Sequence, residues 1–381
     1  MRQFAIGEGF TEFPEAIELT DGHINNTYLL EARKPRSAVC EKTTRRFVLQ
    51  KINTFVFKRP VELMENIVRV TGYIRQRIAA GECPGQNTLT VFPTLEGKYF
   101  HIDAGGAYWR CYNYVENSYS LQSAGSPRDA FCAGKAFGAF QRMLEGFPIA
   151  GLHETIPDFH HTVKRYEALE IAIEGNAAGR RHEVETEIAF ARERKTDAGS
   201  LLALAGTPEL PLRVTHNDTK LNNVLFDCGT NEPVCVIDLD TIMPGLSLYD
   251  YGDSLRFLGN TAAEDERDLS KVRFSIPLFK AYTEGYLEAA AGALTEAEKS
   301  LLPFSIKLMT YECGMRFLTD YLNGDVYFRI HRPDDNLARC RTQFALVAEI
   351  EGLMEEMEGF VAGLGKASSR STVPSSPARG D

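Results

Sequence analysis

No uninterrupted run of about 18 apolar residues occurs in the 381-residue chain, so no membrane-spanning helix is expected. The segment Met1 to Glu8 likewise lacks the apolar stretch of a signal peptide. Cysteines are present but unpatterned: Cys40, Cys83, Cys111, Cys132, Cys228, Cys235, Cys313 and Cys340 form no C-x-x-C pair. Zinc sites and disulfide frameworks need tighter spacing, so reduced, packed thiols in a cytoplasmic protein are expected. Positive charge is in the minority, with 42 Lys and Arg against 52 Asp and Glu. A formal net charge of −10 argues against partners such as nucleic acid or an anionic membrane, which need a basic face. A local basic cleft for a nucleotide is compatible with that total. Two familiar phosphate loops are missing: no G-x-G-x-x-G run exists, and Gly134-Lys135 lacks the earlier glycine of a Walker loop. No internal repeat is visible.

What is present begins with short strands. Asp21 to Thr27 is turn-rich and leads into the apolar Tyr28-Leu29-Leu30, and Arg46 to Ile52 is a second strand candidate. Leu63, Ile67, Val70, Ile74 and Ile78 recur at helical spacing across Glu62 to Ala80. Strand candidates at Leu89–Phe92 and Tyr108–Val115 complete a small α+β unit ending near Glu116. Beyond it the pattern is mainly helical: Arg128–Leu144, Asp158–Glu174, Arg180–Leu204, a helix opened by the capping box Thr295-Glu296-Ala297-Glu298 and running to about Leu322, and another starting at Pro333. The organisation expected is residues 1–116, then 117–365, then a Ser/Pro-rich disordered tail at 366–381.

Val214 to Asp240, VTHNDTKLNNVLFDCGTNEPVCVIDLD, is the specific part. Asp218 precedes Asn223 by five residues, and the apolar strand Val224-Leu225-Phe226 follows. After a turn at Cys228-Gly229-Thr230-Asn231, a second apolar strand ends at Asp238, with Asp240 beyond it. A hairpin of these strands would set the Asp218–Asn223 loop beside Asp238. Phosphoryl transfer asks for such a set: a carboxylate to orient and deprotonate a hydroxyl, and an amide and a second carboxylate to hold Mg²⁺ against phosphates. A turn Asp, a turn Asn and a strand-end cap could each arise singly. Their joint spacing between two strands points to chemistry.

The H-x-D-x-x-x-x-N spacing with Ile237-Asp238 resembles the aminoglycoside phosphotransferase/choline kinase superfamily, itself related to protein kinases. His216-Asn217-Asp218-Thr219-Lys220-Leu221-Asn222-Asn223, Ile237 to Gly245 and Tyr249 to Arg256 look most like bacterial N-acetylhexosamine 1-kinases. Asn217 and Leu239-Asp240 replace the arginine and Phe-Gly of the protein-kinase form, which speaks against a protein substrate. The resemblance implies a two-lobed, protein-kinase-like α+β fold, with a small mixed-sheet N-lobe and a larger, mainly helical C-lobe. It implies ATP as donor, Mg²⁺ as cofactor, and the anomeric hydroxyl of N-acetylglucosamine or N-acetylgalactosamine as acceptor. Asp218 takes the place of the base, Asn223 and Asp238 those of the metal ligands.

Other positions follow from that frame. His216 is expected to brace the loop, Asp240 to be a supplementary acid or a turn residue, and Asp250, with Asp253, to stabilise loop backbone. Alternation places Phe47, Leu49 and Lys51 on one face. Lys51 is therefore the choice for the phosphate cation, with Glu65 in preference to Glu62 as its ion-pair partner, although Gln50 next door leaves the register open. Asn25, Asn26 and Thr27 occupy the turn where a phosphate loop would sit. Tyr114, Val115 and Glu116 fall at the family's adenine-binding hinge, and Arg316 and Tyr327 in its sugar-pocket region. The alternatives are a kinase of another sugar, an aminoglycoside or a choline- or ethanolamine-like alcohol, and a non-catalytic nucleotide-binding regulator.

Overall fold

The computed structural model describes residues 1–7, 10–19, 24–34 and 44–370. The N-terminal part is an antiparallel sheet of β1 (Ala16–Leu19), β2 (Asn26–Arg33), β3 (Thr44–Lys51), β4 (His101–Ile102) and β5 (Tyr108–Asn113), ordered β1-β2-β3-β5-β4. Helix α1 (Pro60–Ala79) crosses between β3 and β4 in sequence. Its stripe of Leu63, Met64, Ile67, Val70 and Ile74 is buried, as the spacing requires. The two faces of the sheet have different partners. Phe47 and Cys111 point to an outer cluster with Phe4 and Ile6, against which Leu49 and Trp109 also pack. Val48 and Tyr112 point the other way, into the main core.

Leu89–Phe92, expected as a strand, forms only an isolated bridge from Val91 to Tyr112. Asn113 ties it down through its side chain, Oδ1 accepting from the Thr90 N–H at 2.6 Å.

The chain then passes through β6 (Ser118–Tyr119) into α2 (Pro127–Met143), α3 (Thr162–Gly175) and α4 (Glu185–Glu193). The long helix expected over Arg180–Leu204 is broken. Only α4 is α-helical there, flanked by short 3₁₀ turns, because Thr196, Asp197, Gly199 and Ser200 are poor helix formers. Four short strands follow: β7 (Arg213–Thr215), β8 (Val224–Asp227), β9 (Pro233–Val236) and β10 (Met243–Gly245). The remainder is α5 (Ser247–Leu258), α6 (Ile276–Ala290), α7 (Glu296–Ser300), α8 (Leu302–Asn323) and α9 (Asp335–Arg370).

Thr295 does form the capping box with Glu298, but α7 ends at Ser300 and Pro303 reopens the chain as α8. A proline fits in a first turn, where its missing N–H is not needed. Small residues let α2 and α6 cross closely: a Cβ on Gly134, Gly138 or Gly285 would lie 2.0–2.2 Å from a backbone carbonyl of the opposing helix. Of the expected tail, α9 continues to Arg370 and the rest lies outside the described residues. Among the described residues no helix is long and apolar enough to cross a membrane.

Candidate active site

Two loops carry the motif residues, and the strands force them side by side. The loop 216–223 leaves β7 and enters β8, while 237–242 leaves β9 and enters β10. Since β8 pairs with β9 and β7 with β10, both loops are clamped at both ends. Cross-links complete the clamp. The Ile237 N–H donates to the Asn223 carbonyl at 2.9 Å, and Thr241 Oγ1 donates to the His216 carbonyl at 2.6 Å.

His216 is fully buried between the rings of Phe137 and Phe140. Its Nε2 donates to the Ile237 carbonyl at 2.9 Å, leaving Nδ1 to accept from the Asp218 N–H at 3.2 Å. The imidazole thus spans the two loops. Asn217 takes a left-handed backbone, φ 62°, which an Asn tolerates, and its amide donates to the Thr241 carbonyl at 2.7 Å. Asp250, on α5, accepts the backbone N–H groups of His216 and Asn217, both at 2.8 Å. Its own carbonyl accepts from Thr219 Oγ1 at 2.7 Å. Burial pushes the Asp250 carboxyl up, opposed by His216 and those two N–H bonds. Asp253 instead pairs with Arg256 at 2.8 Å.

This scaffold presents Asp218, Asn223 and Asp238 together. Asn223 donates its amide to the Asp218 carbonyl at 2.8 Å and to Oδ2 at 3.2 Å. That fixes the amide, so its oxygen is turned away from Asp218. Asp238 is also left-handed, φ 60° and ψ 59°. Its carboxylate meets solvent yet sits deep among protein atoms. That confinement, with Asp240 and Asp218 nearby, pushes it up to about 6, against the pull of His216 and Arg110. Crowded carboxylates of this kind favour a cation between them. An amide oxygen and a carboxylate suit Mg²⁺, which keeps several water or phosphate ligands. Among the described residues no three His, Cys, Asp or Glu side chains form a closed cage.

One functional candidate was passed over in the sequence. Lys220 lies two residues after Asp218, and its ammonium contacts Asp218 Oδ1 at 2.7 Å. Burial works against that charge, but Asp218 outweighs it and holds the lysine above its ordinary value. Its position within the quoted motif was the available signal.

The N-terminal expectations fare differently. Lys51 alternates with Phe47 and Leu49 as expected, but theirs is the outer face, and Lys51 is exposed. Glu65 is exposed as well and meets His153 Nε2 at 2.7 Å, while Glu62 pairs with Arg59 at 2.7 Å. The structure does not bring Lys51 and Glu65 together. The inner face carries Gln50 and, opposite it in register, Arg110. Asn25 and Thr27 also point inward: Asn25 Nδ2 donates to Asp240 Oδ2 at 2.6 Å, and Thr27 Oγ1 accepts from Gln50 Nε2 at 3.0 Å. Asn26, facing Lys51 in register, is exposed. Asp240 is buried and paired with Arg110, so it is not a solvated turn residue.

In the segment expected to be the hinge, the Tyr114 ring lies under Arg46, 4.3 Å from guanidinium to centroid, and Glu116 pairs with the same arginine. The N–H of Val115 and the carbonyl of Glu116 have no partner among the described residues. Arg316, on α8, stands 5.8 Å from the Phe159 ring and 5.5 Å from Phe328. No carboxylate pairs with it among the described residues. Tyr327 is 72% exposed, its backbone N–H held by Asp320 at 2.8 Å and its ring edge-on to Phe328.

Comparison with solved structures gives the fold a context. The chain superposes on a microcompartment-associated aminopropanol kinase with a TM-score of 0.60 at 15% identity, covering 90% of this chain and 93% of that one. An aminoglycoside phosphotransferase from Alicyclobacillus acidocaldarius gives 0.54 at 13% identity, with 96% and 94% covered. The GDP complex of aminoglycoside 2'-phosphotransferase-IIIa gives 0.51 at 14%, with 88% and 93% covered. The antiparallel sheet followed by a helical part is thus the expected kinase-like fold. A family model described as phosphotransferase enzyme family matches residues 15–291. By that match over most of its length, the chain belongs to the phosphotransferase enzyme family.

Proposed function

We propose that this protein transfers the γ-phosphoryl group of ATP to the anomeric hydroxyl of an N-acetylhexosamine, giving the sugar 1-phosphate and ADP. The observation that carries the reading is the convergence of Asp218, Asn223 and Asp238 on two clamped loops. Asn223 and Asp238 would hold Mg²⁺, which would neutralise phosphate charge. Asp218 orients the sugar hydroxyl and accepts its proton as the oxygen bonds to phosphorus and the β,γ-bridging P–O bond breaks. Lys220, already on Asp218, stands ready to meet the transferred group. Asn25 and Thr27 line the phosphate side, and the free main-chain groups of Val115 and Glu116 suit the adenine edge. His216, Asp240 and Asp250 hold the loops. Positioning and charge neutralisation supply most of the rate.

The choice of a neutral sugar over a cationic acceptor rests on the motif resemblance and on one feature of the acceptor side. Arg316 has no acidic partner, and Arg165 beside it is held low by burial and by Arg316. Two neighbouring guanidiniums, with the buried Glu312 carboxylate near both, disfavour a cationic aminoglycoside or amino alcohol, whereas Arg316 and Tyr327 suit hydroxyls and an acetyl carbonyl. Fold relatives described as aminopropanol and aminoglycoside kinases make those acceptors the second reading.

A panel of hexosamines, other sugars, aminoglycosides and amino alcohols, scored by ADP release with Mg-ATP, tests the choice. Turnover of N-acetylglucosamine or N-acetylgalactosamine well above the rest is expected. Turnover confined to cationic alcohols would overturn it.

A further inference from the structure

A kinase site needs a cation against the donor's phosphates, and Lys51 is exposed on the outer face of the sheet. The inner face of the sheet carries a different one. Thr27, Gln50 and Arg110 stand in one cross-strand row on β2, β3 and β5. Gln50 Nε2 donates to Thr27 Oγ1 at 3.0 Å, so its oxygen is turned to the arginine and accepts from Nε at 3.0 Å and Nη2 at 2.8 Å. Nη1 pairs with Asp240. Asp240 accepts from Asn25, whose Oδ1 in turn accepts from the Asn53 N–H at 2.9 Å. A continuous polar chain therefore links the turn before β2 to the loop that carries Asp238.

Three details make this more than a packed ion pair. Arg110 is 1% exposed, and a desolvated cation needs an anion beside it. The helix that would supply that acid supplies Met64 instead, its sulfur 3.9 Å from Nη1. The acid comes from the metal loop, two residues beyond Asp238. Second, a guanidinium has five N–H donors, and Gln50, Asp240 and the Met64 sulfur account for four of them. Third, the site holds its two cations in the same way: Lys220 on Asp218 from the C-terminal side, Arg110 on Asp240 from the sheet side.

We propose that Arg110 is the phosphate-binding cation of the sheet side, aimed by Gln50 and paired with Asp240 until a nucleoside diphosphate or triphosphate supplies the oxygens that share or replace that carboxylate. The proposal rests on the nucleotide reading above and adds to it the residue that takes the phosphates.

Calorimetric titration of the full chain with adenosine, ADP and ATP, each with and without Mg²⁺, tests it. Arg110→Gln should weaken ADP and ATP by about ten- to a hundredfold, the worth of a charge-assisted contact, and leave adenosine binding unchanged. Asp240→Asn, which frees Arg110, should tighten metal-free ADP. Because Arg110→Gln strands a buried carboxylate, the pair Arg110→Gln with Asp240→Asn serves as the folded control. It keeps a neutral hydrogen-bonded chain and should lose ADP affinity relative to Asp240→Asn alone. Equal ADP affinity in those two variants, or equal weakening of adenosine and ADP in Arg110→Gln, would overturn the role of Arg110. Failure of the unaltered protein to bind ADP would instead overturn the nucleotide reading, and this proposal with it.

Discussion

The motif loops and the inner face of the N-terminal sheet meet where Arg110 pairs with Asp240, but they are assembled in opposite ways. In the loops, Asp218, Asn223, Asp238 and Asp250 lie close together in the chain and are set by short segments whose strands pair with one another. On the sheet, Asn25, Gln50, Arg110 and Asp240 come from four distant stretches, joined only when β2, β3 and β5 adopt their register. A site of the first kind survives as a motif. A site of the second kind depends on which face a strand turns inward, and a one-residue difference exchanges the faces.

The largest effect belongs to the loops. Asp218→Asn should lower kcat by about a hundredfold or more, the scale of a lost general base, with nucleotide affinity little changed. The side chain is partly exposed and its backbone bonds remain, so thermal stability should hold. Near-normal turnover in steady-state ADP release would remove Asp218 from the chemistry and dissolve the contrast.

Asp250 should separate support from chemistry within the same region. Asp250→Ala leaves the His216 and Asn217 N–H groups buried without acceptors. Such groups cost about 1–3 kcal/mol each. Urea unfolding should show a loss of that order, along with reduced kcat. A variant as stable as the parent would mean that the loop finds other acceptors.

How much of this was legible beforehand follows the same division. The hairpin of β8 and β9 could be read from two apolar runs around a turn, and α1 from its five-point stripe. The bridging place of His216 and the backbone-holding place of Asp250 needed only the resemblance of the surrounding motif. Alternation correctly grouped Phe47, Leu49 and Lys51. It could not say which group turns toward the motif loops, because that depends on Phe4 and Ile6 folding back to cover the outer face. Nothing local in Tyr108–Asn113 marks Arg110 as a site residue; a buried arginine declares itself only beside its partners. Helices α5 and α6 escaped for a related reason. Their close contacts through Gly252, Gly134 and Gly285 reward small residues, which weaken the apolar stripe that would announce a helix.

The smallest expected effect is the most direct test of the sheet's orientation. Lys51 ends β3 exposed, and Glu65 is bonded to His153 on the surface. Lys51→Ala and Glu65→Ala should each change stability by no more than about 0.5 kcal/mol and leave ADP affinity unchanged. The double variant should show no coupling, since residues that share no contact or partner add independently. A measured coupling near 1 kcal/mol, or a loss of ADP affinity in Lys51→Ala to match that in Arg110→Gln, would turn β3 over. Gln50 would then face outward, the row from Thr27 to Arg110 would lose its middle member, and the charge that meets the nucleotide would come from β3 after all.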